Sequence, residues 1–550
     1  MKLPKDTLVF VPLGGTGEIG MNMSLYGWND SWIMVDCGMS FPQARDPGVE
    51  LIFPDPAFAE SLGNKLKALV LTHGHEDHGG AVPYLWPDLG VPLYATPFTM
   101  AMMRHKLADH GLDMKDDLVE LPIGADVEIG PFKITYVALS HSIAEGHGLF
   151  IETPAGNVFH TGDWKLDDEP IVGEAALPAA LTALGDRGIM ALVGDSTNAM
   201  NETASGSEGD VRTSMLEIFA GVKGRLVITT FASNIARLET IGEVAKATHR
   251  HLVVMGRSLQ RNIALGKATG YLEHFPPTLD QSEAQHLPRS KVLILCTGCQ
   301  GEPRAALSRI ALNEHRDISL AAGDTVAFSS KIIPGNEKTL GALFNALAAN
   351  DINIITEKDA FIHVSGHPGR PQIKQLYGWL RPQALIPVHG EMVHMKAHAA
   401  LAHDLGISNT YVPLNGDVIQ LNANRLTRIG YAPANYLALD GDEIVLRDGA
   451  SIVDRRRMAQ NGAAIISLVM DDVGDLLDDP IIHLQGVPGQ EDAELSDVCL
   501  DAIEATLRKQ SRYLPKDRDG LAEKLRIAVR RALRSYTGKN PQTRVLIHAV

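Results

Sequence analysis

Short apolar runs separated by turn residues fill the first 160 residues of the chain, and this pattern predicts strands. Apolar or alternating runs favour strands at 7–13, 22–28, 31–36, 67–72, 132–138 and 157–160. Asn29 and Asp30 separate the second and third runs and indicate a hairpin there. Several runs end in loops rich in Gly, His and Asp, which is where layered α/β folds place their chemistry.

The pattern changes near residue 206, where strand-like and helix-like segments begin to alternate. Strands are predicted at 225–230, 251–255, 291–296 and 325–329, and a helix is predicted at 236–248. Such an alternation is typical of βαβ units and a parallel sheet. A third region begins after about residue 450. Its basic segment is predicted to form an amphipathic helix, because six residues fall at helical spacing: Leu521, Leu525, Ala528, Ala532, Leu533 and Tyr536.

Length and composition indicate a folded protein of several domains. The chain has 550 residues, of which 45% are hydrophobic, and roughly 150 residues per domain suggests two to four domains. Four cysteines cannot form a secreted disulfide framework, and they fit a reducing cytoplasm. The first residues do not read as a signal peptide, and no apolar run is long enough to cross a membrane. A cytoplasmic protein without a membrane partner is expected.

The net charge of −16 argues weakly against a nucleic-acid partner, but the charge is unevenly distributed. Residues 223–267 hold eight Lys and Arg against Glu239 and Glu243. Residues 471–504 hold eleven acidic residues and no Lys or Arg, whereas residues 508–544 hold twelve Lys and Arg. The basic face of the predicted C-terminal helix either binds a partner or is simply solvated.

One motif determines the chemistry: His73-Gly74-His75-Glu76-Asp77-His78, directly after an apolar strand. A lone histidine is usually structural, but three imidazoles and a carboxylate in six residues are characteristic of a metal site. His73 and His75 can point to one side of an extended segment, and a turn can bring Asp77 and His78 to a neighbouring point. This arrangement could serve two metal ions, and ligands without cysteine suit zinc or manganese.

Two metal ions need further ligands, and three loop positions after apolar runs supply candidates. They are His141 in Leu139-Ser140-His141-Ser142, Asp163 in His160-Thr161-Gly162-Asp163, and His389 in Pro387-Val388-His389-Gly390. Each is a moderate signal by itself, and together they complete the ligand count.

The order of these residues resembles the metallo-β-lactamase superfamily. The long segment between Asp163 and His389 resembles the β-CASP insertion of nucleic-acid-processing members. Five further motifs resemble the bacterial ribonuclease J family: Gly14-Gly15-Thr16-Gly17-Glu18-Ile19-Gly20, Gly194-Asp195-Ser196-Thr197-Asn198, Phe231-Ala232-Ser233-Asn234-Ile235, Phe328-Ser329-Ser330 with Ile333-Pro334-Gly335-Asn336-Glu337, and His363-Val364-Ser365-Gly366-His367.

The resemblance implies an α/β fold: a metallo-β-lactamase αββα sandwich with an inserted β-CASP α/β domain and a small C-terminal α/β domain. The domain bounds expected on this basis are 1–205 and 351–445 for the sandwich, 206–350 for the insertion, 446–460 for a linker and 461–550 for an oligomerisation domain.

The resemblance also implies a role for each motif residue. His73, His75 and His141 would hold one metal ion, Asp77, His78 and His389 a second, and Asp163 both. Asp77, Asp163, Asp195 and His367 would form the catalytic set, with Asp195 orienting a ligand histidine and His367 stabilising charge or protonating the leaving oxygen. The expected RNA and phosphate contacts are Ser233, Asn234, Ile235, Ser330, His363, Val364, Ser365, Gly366 and His367.

The resemblance further implies two Zn²⁺ per subunit, with Mn²⁺ or Mg²⁺ as substitutes, and a structural Ca²⁺ near Asp46, Gly48 and Asp440. Two departures from the family pattern stand out. Cys296 and Cys299 form a Cys-x-x-Cys, which we interpret as buried or substrate-side thiols rather than a redox pair, and Pro368-Gly369-Arg370 follows His367.

The implied activity is 5′-to-3′ exonucleolytic hydrolysis of 5′-monophosphorylated single-stranded RNA, with endonucleolytic cleavage as a second mode. Such an enzyme acts in RNA maturation, including rRNA processing, and in mRNA decay. The implied partners are single-stranded RNA, further copies of the chain in a homodimer or homotetramer, and an RNA-decay complex.

Four other functions compete with this interpretation. Gly15, Gly17 and Gly20 with Asp36 match a dinucleotide-binding pattern, but the glycines of that pattern must open a helix, whereas a hairpin is predicted here. A small-molecule metallo-hydrolase would not explain the basic insertion. A DNA nuclease or a 3′-end-processing β-CASP enzyme is closer, and a non-catalytic RNA-binding scaffold would not need the full ligand set.

Overall fold

The computed structural model describes residues 4–333, 335–471, 475–509 and 517–550. The chain forms two compact units: Met1–Ser40 with Phe53–Asn435, and Phe41–Ile52 with Tyr436–Val550.

The chain before the insertion is rich in strands. Its strands are β1 Leu8–Gly14, β2 Thr16–Gly17, β3 Met23–Trp28, β4 Ser31–Val35, β5 Leu51–Pro54, β6 Leu66–Val70, β7 Leu93–Ala95, β8 Leu118–Glu120, β9 Asp126–Ile129, β10 Phe132–Ala138, β11 His147–Thr153, β12 Gly156–His160 and β13 Ala191–Asp195. Its helices are α1 Ala57–Glu60, α2 Glu76–Gly79, α3 Val82–Leu85, α4 Pro97–Asp109 and α5 Pro178–Asp186.

Strands and helices alternate in the next segment. The strands are β14 Leu226–Thr229, β15 His251–Met255, β16 Thr278–Leu279, β17 Val292–Cys296, β18 Thr325–Phe328 and β19 Asn353–Ile355. The helices are α6 Glu208–Ala220, α7 Ile235–Ala247, α8 Arg257–Ala268, α9 Gln281–Ala284, α10 Ala306–Ala311 and α11 Glu337–Ala348.

The remaining elements complete the first unit and build the second. The strands are β20 Ala384–Val388, β21 Gly390–Glu391, β22 Asn409–Thr410, β23 Asp417–Gln420, β24 Thr427–Tyr431, β25 Tyr436–Asp440, β26 Glu443–Leu446, β27 Ala463–Met470, β28 Ile481–Gln485 and β29 Gln542–Ala549. The helices are α12 Arg370–Leu380, α13 Met392–Asp404, α14 Ala450–Asn461, α15 Ala493–Arg508 and α16 Arg518–Thr537.

Two large sheets face each other in the first unit. One has the order β24-β23-β1-β3-β4-β6-β7-β8, and the other has the order β22-β20-β13-β12-β11-β10-β9. Phe10 and Ile33 of the first sheet share a buried core with Ile134 and Ile386 of the second. Helices α5, α12 and α13 cover the other face of the second sheet, and α4 packs against the first. The predicted αββα sandwich is therefore confirmed.

The alternating segment is inserted between two neighbouring strands of the sandwich. Strands β13 and β20 pair in parallel, with Leu192 opposite Leu385, although the whole insertion separates them in sequence. The insertion has its own parallel sheet, in the order β16-β15-β17-β14-β18-β19. Predicted strand 251–255 matches β15 residue for residue, and predicted helix 236–248 is α7, one residue earlier.

The glycine loop after β1 does not open a helix. Gly15 and Gly17 have φ of +82° and +75°, and the chain continues into strand β3. A dinucleotide-binding fold requires a helix N-terminus at this position to face the pyrophosphate. The dinucleotide alternative is therefore excluded.

In the second unit, β27 pairs with β28 and β29, and helices α15 and α16 pack on one face of this sheet. The predicted amphipathic helix exists as α16, with Leu521, Leu525 and Leu533 in the core. The other three spaced positions lie outside this core: Ala528 and Ala532 are half-buried and Tyr536 is 52% exposed, and Val529 is buried instead. The register of the helix explains this, because Val529 lies four residues from both Leu525 and Leu533.

Among the described residues, none of the helices has the length and apolar character of a membrane span.

Candidate metal centre

The His-rich motif forms the loop after β6, at the edge where the two sheets of the sandwich meet. Helix α2 begins at Glu76, with His75 at its N-cap. The neighbouring segment holds the loop through backbone bonds, since Cys37 donates to the carbonyl of His78 at 2.7 Å and Met39 to that of Glu76 at 2.9 Å. A Cβ on Gly38 would lie 1.8 Å from the carbonyl oxygen of Asp77. Glycine at position 38 therefore permits this close approach.

Three imidazoles of the predicted first ligand set converge on one point. Nδ1 of His75 lies 3.0 Å from Nε2 of His73 and 3.1 Å from Nε2 of His141. Oδ2 of Asp163 lies 4.0 Å from Nε2 of His73 and 3.8 Å from Nε2 of His141. Burial lowers the pKa of His75 to about 4 and holds the pKa of His73 and of His141 well below the usual value. The rings are therefore neutral and offer lone pairs to a cation.

The predicted second set converges beside the first. Nε2 of His389 lies 3.1 Å from Oδ2 of Asp77, and Nε2 of His78 lies 3.2 Å from Oδ2 of Asp163. Burial alone would raise the pKa of both carboxyls, but the surrounding histidines lower it. Within each set the ligand atoms lie within 4.8 Å of one another.

Asp163 belongs to both sets and lies between them. Its side chain is about 2% exposed, and within the described part of the chain Oδ1 has no hydrogen-bond partner. An unpaired buried carboxylate oxygen is costly to desolvate. A cation on each side of Asp163 would remove that cost, so the residues present fit a pair of divalent ions.

Neighbouring groups fix which nitrogen of each ring faces the centre. Nδ1 of His78 donates to Oδ2 of Asp36 at 2.7 Å, and Nδ1 of His141 donates to the carbonyl of Gly366 at 2.7 Å. Nδ1 of His389 lies 2.8 Å from Oγ1 of Thr197. Nε2 of each ring therefore faces the centre, as is usual for ligand histidines, although Nε2 of His78 also lies 3.1 Å from Nδ2 of Asn22.

His367 lies at the rim of the centre, between two carboxylates. Its Nδ1 lies 2.8 Å from Oδ2 of Asp195, and its Nε2 lies 3.9 Å from Oδ2 of Asp163. Burial would lower its pKa, but the carboxylates of Asp195 and Asp163 raise it above the usual value. The sequence-based expectation was that Asp195 orients a ligand histidine, but its nearer partner is His367, and its Oδ1 lies 3.6 Å from Nδ1 of the predicted ligand His389.

The predicted RNA-contact residues fall into two groups. Ser365 accepts hydrogen bonds from Asn198 and from its own loop, and Gly366 presents its carbonyl to His141, so both shape the loop beside the metal centre. His363 has a buried Nδ1 that lacks a partner among the described residues. Burial and the charge of Arg237 hold the pKa of His363 well below its usual value.

Other predicted contacts cannot be made by side chains as expected. Asn234 is 2% exposed and its side chain caps helix α7, accepting from the backbone N–H of Arg237. Ile235 and Val364 are buried in the core. At positions 234 and 235 only backbone groups remain to bind a phosphate, whereas Ser233 is half-buried. Ser330 is buried, with Oγ 3.4 Å from the carbonyl of Cys299.

The basic segment 223–267 is less available to RNA than its charge suggests. Arg225, Arg237 and Arg250 are buried, and each donates to protein oxygens. Arg237 is fully buried against Glu208 and also donates to the carbonyl of Ile362. Three of the eight basic residues therefore hold the domain together.

The predicted calcium positions face arginines instead of an open cation site. Both carboxylate oxygens of Asp46 accept from Arg447, at 2.9 and 2.6 Å. Arg455 pairs with Asp440 and approaches the carbonyl of Gly48. Two guanidinium groups already neutralise these oxygens, so the geometry does not favour Ca²⁺ there. The predicted interpretation of the Cys-x-x-Cys concerns thiols elsewhere in the chain: Cys296 and Cys299 are both free and buried, and burial raises the pKa of Cys299 to about 12.

Sequence reasoning missed three residues of the site. Asp36 was considered only as part of a dinucleotide pattern, yet it orients His78. Thr197 lies in a motif that was recognised, but its contact with His389 was not foreseen. Arg237 was counted as surface charge. An apolar strand that ends in Asp, as β4 does before Asp36, was the available signal.

Models of protein families define the class of protein to which this chain belongs. The model described as "Metallo-beta-lactamase superfamily" matches residues 17–202, and "Zn-dependent metallo-hydrolase RNA specificity domain" matches residues 351–413. "Ribonuclease J, beta-CASP domain" matches residues 223–347, and "Ribonuclease J C-terminal domain" matches residues 450–550. The fold and the centre are those of a metallo-β-lactamase-type hydrolase with a β-CASP insertion, which uses divalent metal.

Individual relatives narrow the class. The chain is 41% identical to a "Ribonuclease J" of Sinorhizobium meliloti, over 99% of this chain and 98% of that one. It is 38% identical to a "Ribonuclease J 1" of Streptococcus pyogenes, over 85% of this chain and 84% of that one. The chain belongs to the ribonuclease J family.

A solved structure supports the fold alone. The crystal structure of a protein of unknown function from Enterococcus faecalis V583 has a TM-score of 0.54 and 16% identity. It covers 76% of this chain and 100% of its own.

Proposed function

We propose that this chain is a metal-dependent ribonuclease that degrades 5′-monophosphorylated single-stranded RNA from its 5′ end, with endonucleolytic cleavage as a second mode. The observation that carries the proposal is Asp163, which is shared by two sets of ligand atoms and lies next to His367. Membership of the ribonuclease J family supports RNA as the substrate. RNA maturation and decay in the cytoplasm are the processes that we propose for it.

His73, His75 and His141 would hold one divalent ion, and Asp77, His78 and His389 would hold the other, with Asp163 contacting both. Nitrogen and carboxylate ligands without thiolate suit Zn²⁺, and Mn²⁺ or Mg²⁺ could substitute. When bound, two such metal ions would supply an activated water and neutralise charge on the scissile phosphate.

The residues of the chain supply orientation and a proton. Asp36, Thr197 and the carbonyl of Gly366 keep the ligand rings in place, so little reorganisation is needed during the reaction. The carboxylates of Asp195 and Asp163 raise the pKa of His367 and so favour its protonated form, from which Nε2 would donate a proton to the departing 3′ oxygen.

A pocket for the 5′ phosphate fits the loop that carries His363 and Ser365. Nδ1 of His363 lacks a hydrogen-bond partner among the described residues and Ser233 is half-buried, and we propose that both contribute donors to this pocket. Such a pocket would place the first phosphodiester bond at the metal centre. This geometry would favour stepwise removal of nucleotides from a monophosphorylated end.

The preference for the 5′ end is tested with one end-labelled RNA prepared with a 5′ monophosphate, a 5′ triphosphate or a 5′ hydroxyl. We expect mononucleotide release from the monophosphate form to be at least about tenfold faster than from the other two, because a charge-assisted contact contributes more than 1.4 kcal/mol. The Asp163→Ala protein and a DNA of the same sequence serve as controls.

Equal internal cleavage of all three forms would refute the preference for the 5′ end and leave an endonuclease. Consumption of DNA but not RNA would refute the choice of substrate.

We also propose that residues 461–550 join copies of the chain into a dimer or tetramer. Ile481 is 70% exposed, and Ile465 and Leu546 are about 40% exposed. The register of β27 with β28 and β29 places all three on the sheet face opposite α15 and α16. Apolar residues on an uncovered sheet face favour burial against another chain. A larger RNA-decay complex is proposed on family resemblance alone.

A further inference from the structure

Apart from the metal centre, a cavity lies in the inserted domain, at the carboxyl edge of its parallel sheet. It has a volume of about 810 Å³ and opens between the ends of β15 and β17. The connection from β15 enters α8, which packs with α7, whereas the connection from β17 enters α10, which packs with α11. The chain thus leaves two neighbouring strands toward opposite faces of the sheet. Open α/β sheets bind ligands at such a point.

The cavity carries an excess of positive charge. Four cationic side chains line it: Arg257, Lys267, Arg304 and Arg309. Asp280 is its one acidic lining residue. None of the four has an ion-pair partner within the described ranges. By contrast, Arg289 in the same domain is paired with Asp324. The carboxylate of Asp280 already accepts two hydrogen bonds from Ser282.

Backbone N–H groups and a neutral imidazole offer further hydrogen-bond donors in the same cavity. Helix α8 begins directly after Gly256 without a side-chain cap, so its first N–H groups are free for a ligand. Gly256 has φ of +130°, and a Cβ there would lie 2.5 Å from Thr297. Nδ1 of His315 accepts from the N–H groups of Asp317 and Ile318, so its proton is on Nε2.

We propose that this cavity binds the phosphate groups of a nucleotide, at a site separate from the metal centre. Arginine side chains match phosphate oxygens in pairs, and the volume suits a nucleotide-sized ligand. The phosphate can belong to a free nucleotide or to the RNA strand. Asn262 of α8 donates to the carbonyl of Ala232, next to Ser233, so a ligand on α8 is connected to the loop at the end of β14.

Binding of AMP, ATP and inorganic phosphate to the full-length protein is measured by calorimetry, and binding of a short labelled single-stranded RNA by anisotropy. The test variant is Arg304→Gln/Arg309→Gln. The control is Lys291→Gln/Arg316→Gln, which removes the same charge from exposed positions of the same domain outside the cavity. Because nucleotides can also enter the metal centre, the difference between the two variants is the measured quantity.

We expect the test variant to lose at least about tenfold in affinity for one of these ligands while the control changes by less than about twofold. Loss of AMP or ATP binding assigns the site to free nucleotides, and loss of RNA binding alone assigns it to the strand. If neither ligand distinguishes the test variant from the control, the proposal is wrong. The two single substitutions, each with its melting temperature, replace the double variant if it folds poorly. Because the readout is binding, failure here leaves the proposed ribonuclease activity untouched.

Discussion

Replacing Asp163 with alanine is expected to reduce RNA hydrolysis by about 10³-fold or more, which corresponds to roughly 4 kcal/mol of activation free energy. The reason is that Oδ2 of Asp163 lies within 4.0 Å of five imidazole nitrogens: His73, His78, His141, His367 and His389. No other carboxylate among the described residues is shared by both ligand sets. Its loss would separate the two halves of the centre.

Turnover of the monophosphorylated RNA and metal content per chain are the measurements for this variant. Asp109→Ala is a suitable control, because Asp109 is an exposed carboxylate on α4. We expect Asp109→Ala to keep both activity and metal. Activity of Asp163→Ala within about tenfold of the unsubstituted protein would be incompatible with a shared ligand.

Replacing Arg237 with methionine is expected to lower the free energy of unfolding by about 3–5 kcal/mol, because the substitution leaves the carboxylate of Glu208 buried without its partner. Arg237 is fully buried and donates to Glu208, to the carbonyl of Ile362 at 2.8 Å and to Ser329. These contacts connect α7 with Ser329, which directly follows β18, and with Ile362, which directly precedes His363. The midpoint of urea unfolding of the full chain measures the effect.

The matched control is Arg212→Met on helix α6, where the ion pair with Glu169 is exposed. Exposed pairs contribute about 0–1 kcal/mol, so this variant should unfold near the unsubstituted protein. A further replacement of Glu208 by leucine in the Arg237→Met protein should recover part of the loss, because no buried charge then remains. Equal midpoints for Arg237→Met and Arg212→Met would contradict the structural role of the buried pair.

The sequence predicted elements well where the local pattern was unbroken. Strands β10 and β15 match the predicted bounds: β10 largely alternates apolar and polar residues and follows Gly130-Pro131, and β15 is an apolar run that ends before Gly256. The C-terminal helix was found, but its core face was assigned with Tyr536 in place of Val529. Helical spacing alone admitted both positions, and only packing against the sheet selects Val529.

The metal ligands were recognisable because four of them lie in six residues. Their supporting groups were not, because they come from distant segments: Asp36 directly follows β4 and reaches His78, and Gly366 reaches His141 across 225 positions. The side chain of Asn234 is engaged elsewhere than the sequence suggested, for a related reason. An asparagine before a helix can serve either as a cap or as a ligand contact, and here its side chain caps α7.

The number and positions of bound metal ions test the central claim most directly. Crystals of the full-length protein, grown without chelator, would be measured on both sides of the zinc and manganese absorption edges. We expect two anomalous peaks, with Asp163 contacting both. One should lie beside His73, His75 and His141, and the other beside Asp77, His78 and His389. A single peak, or peaks away from Asp163, would contradict the central claim.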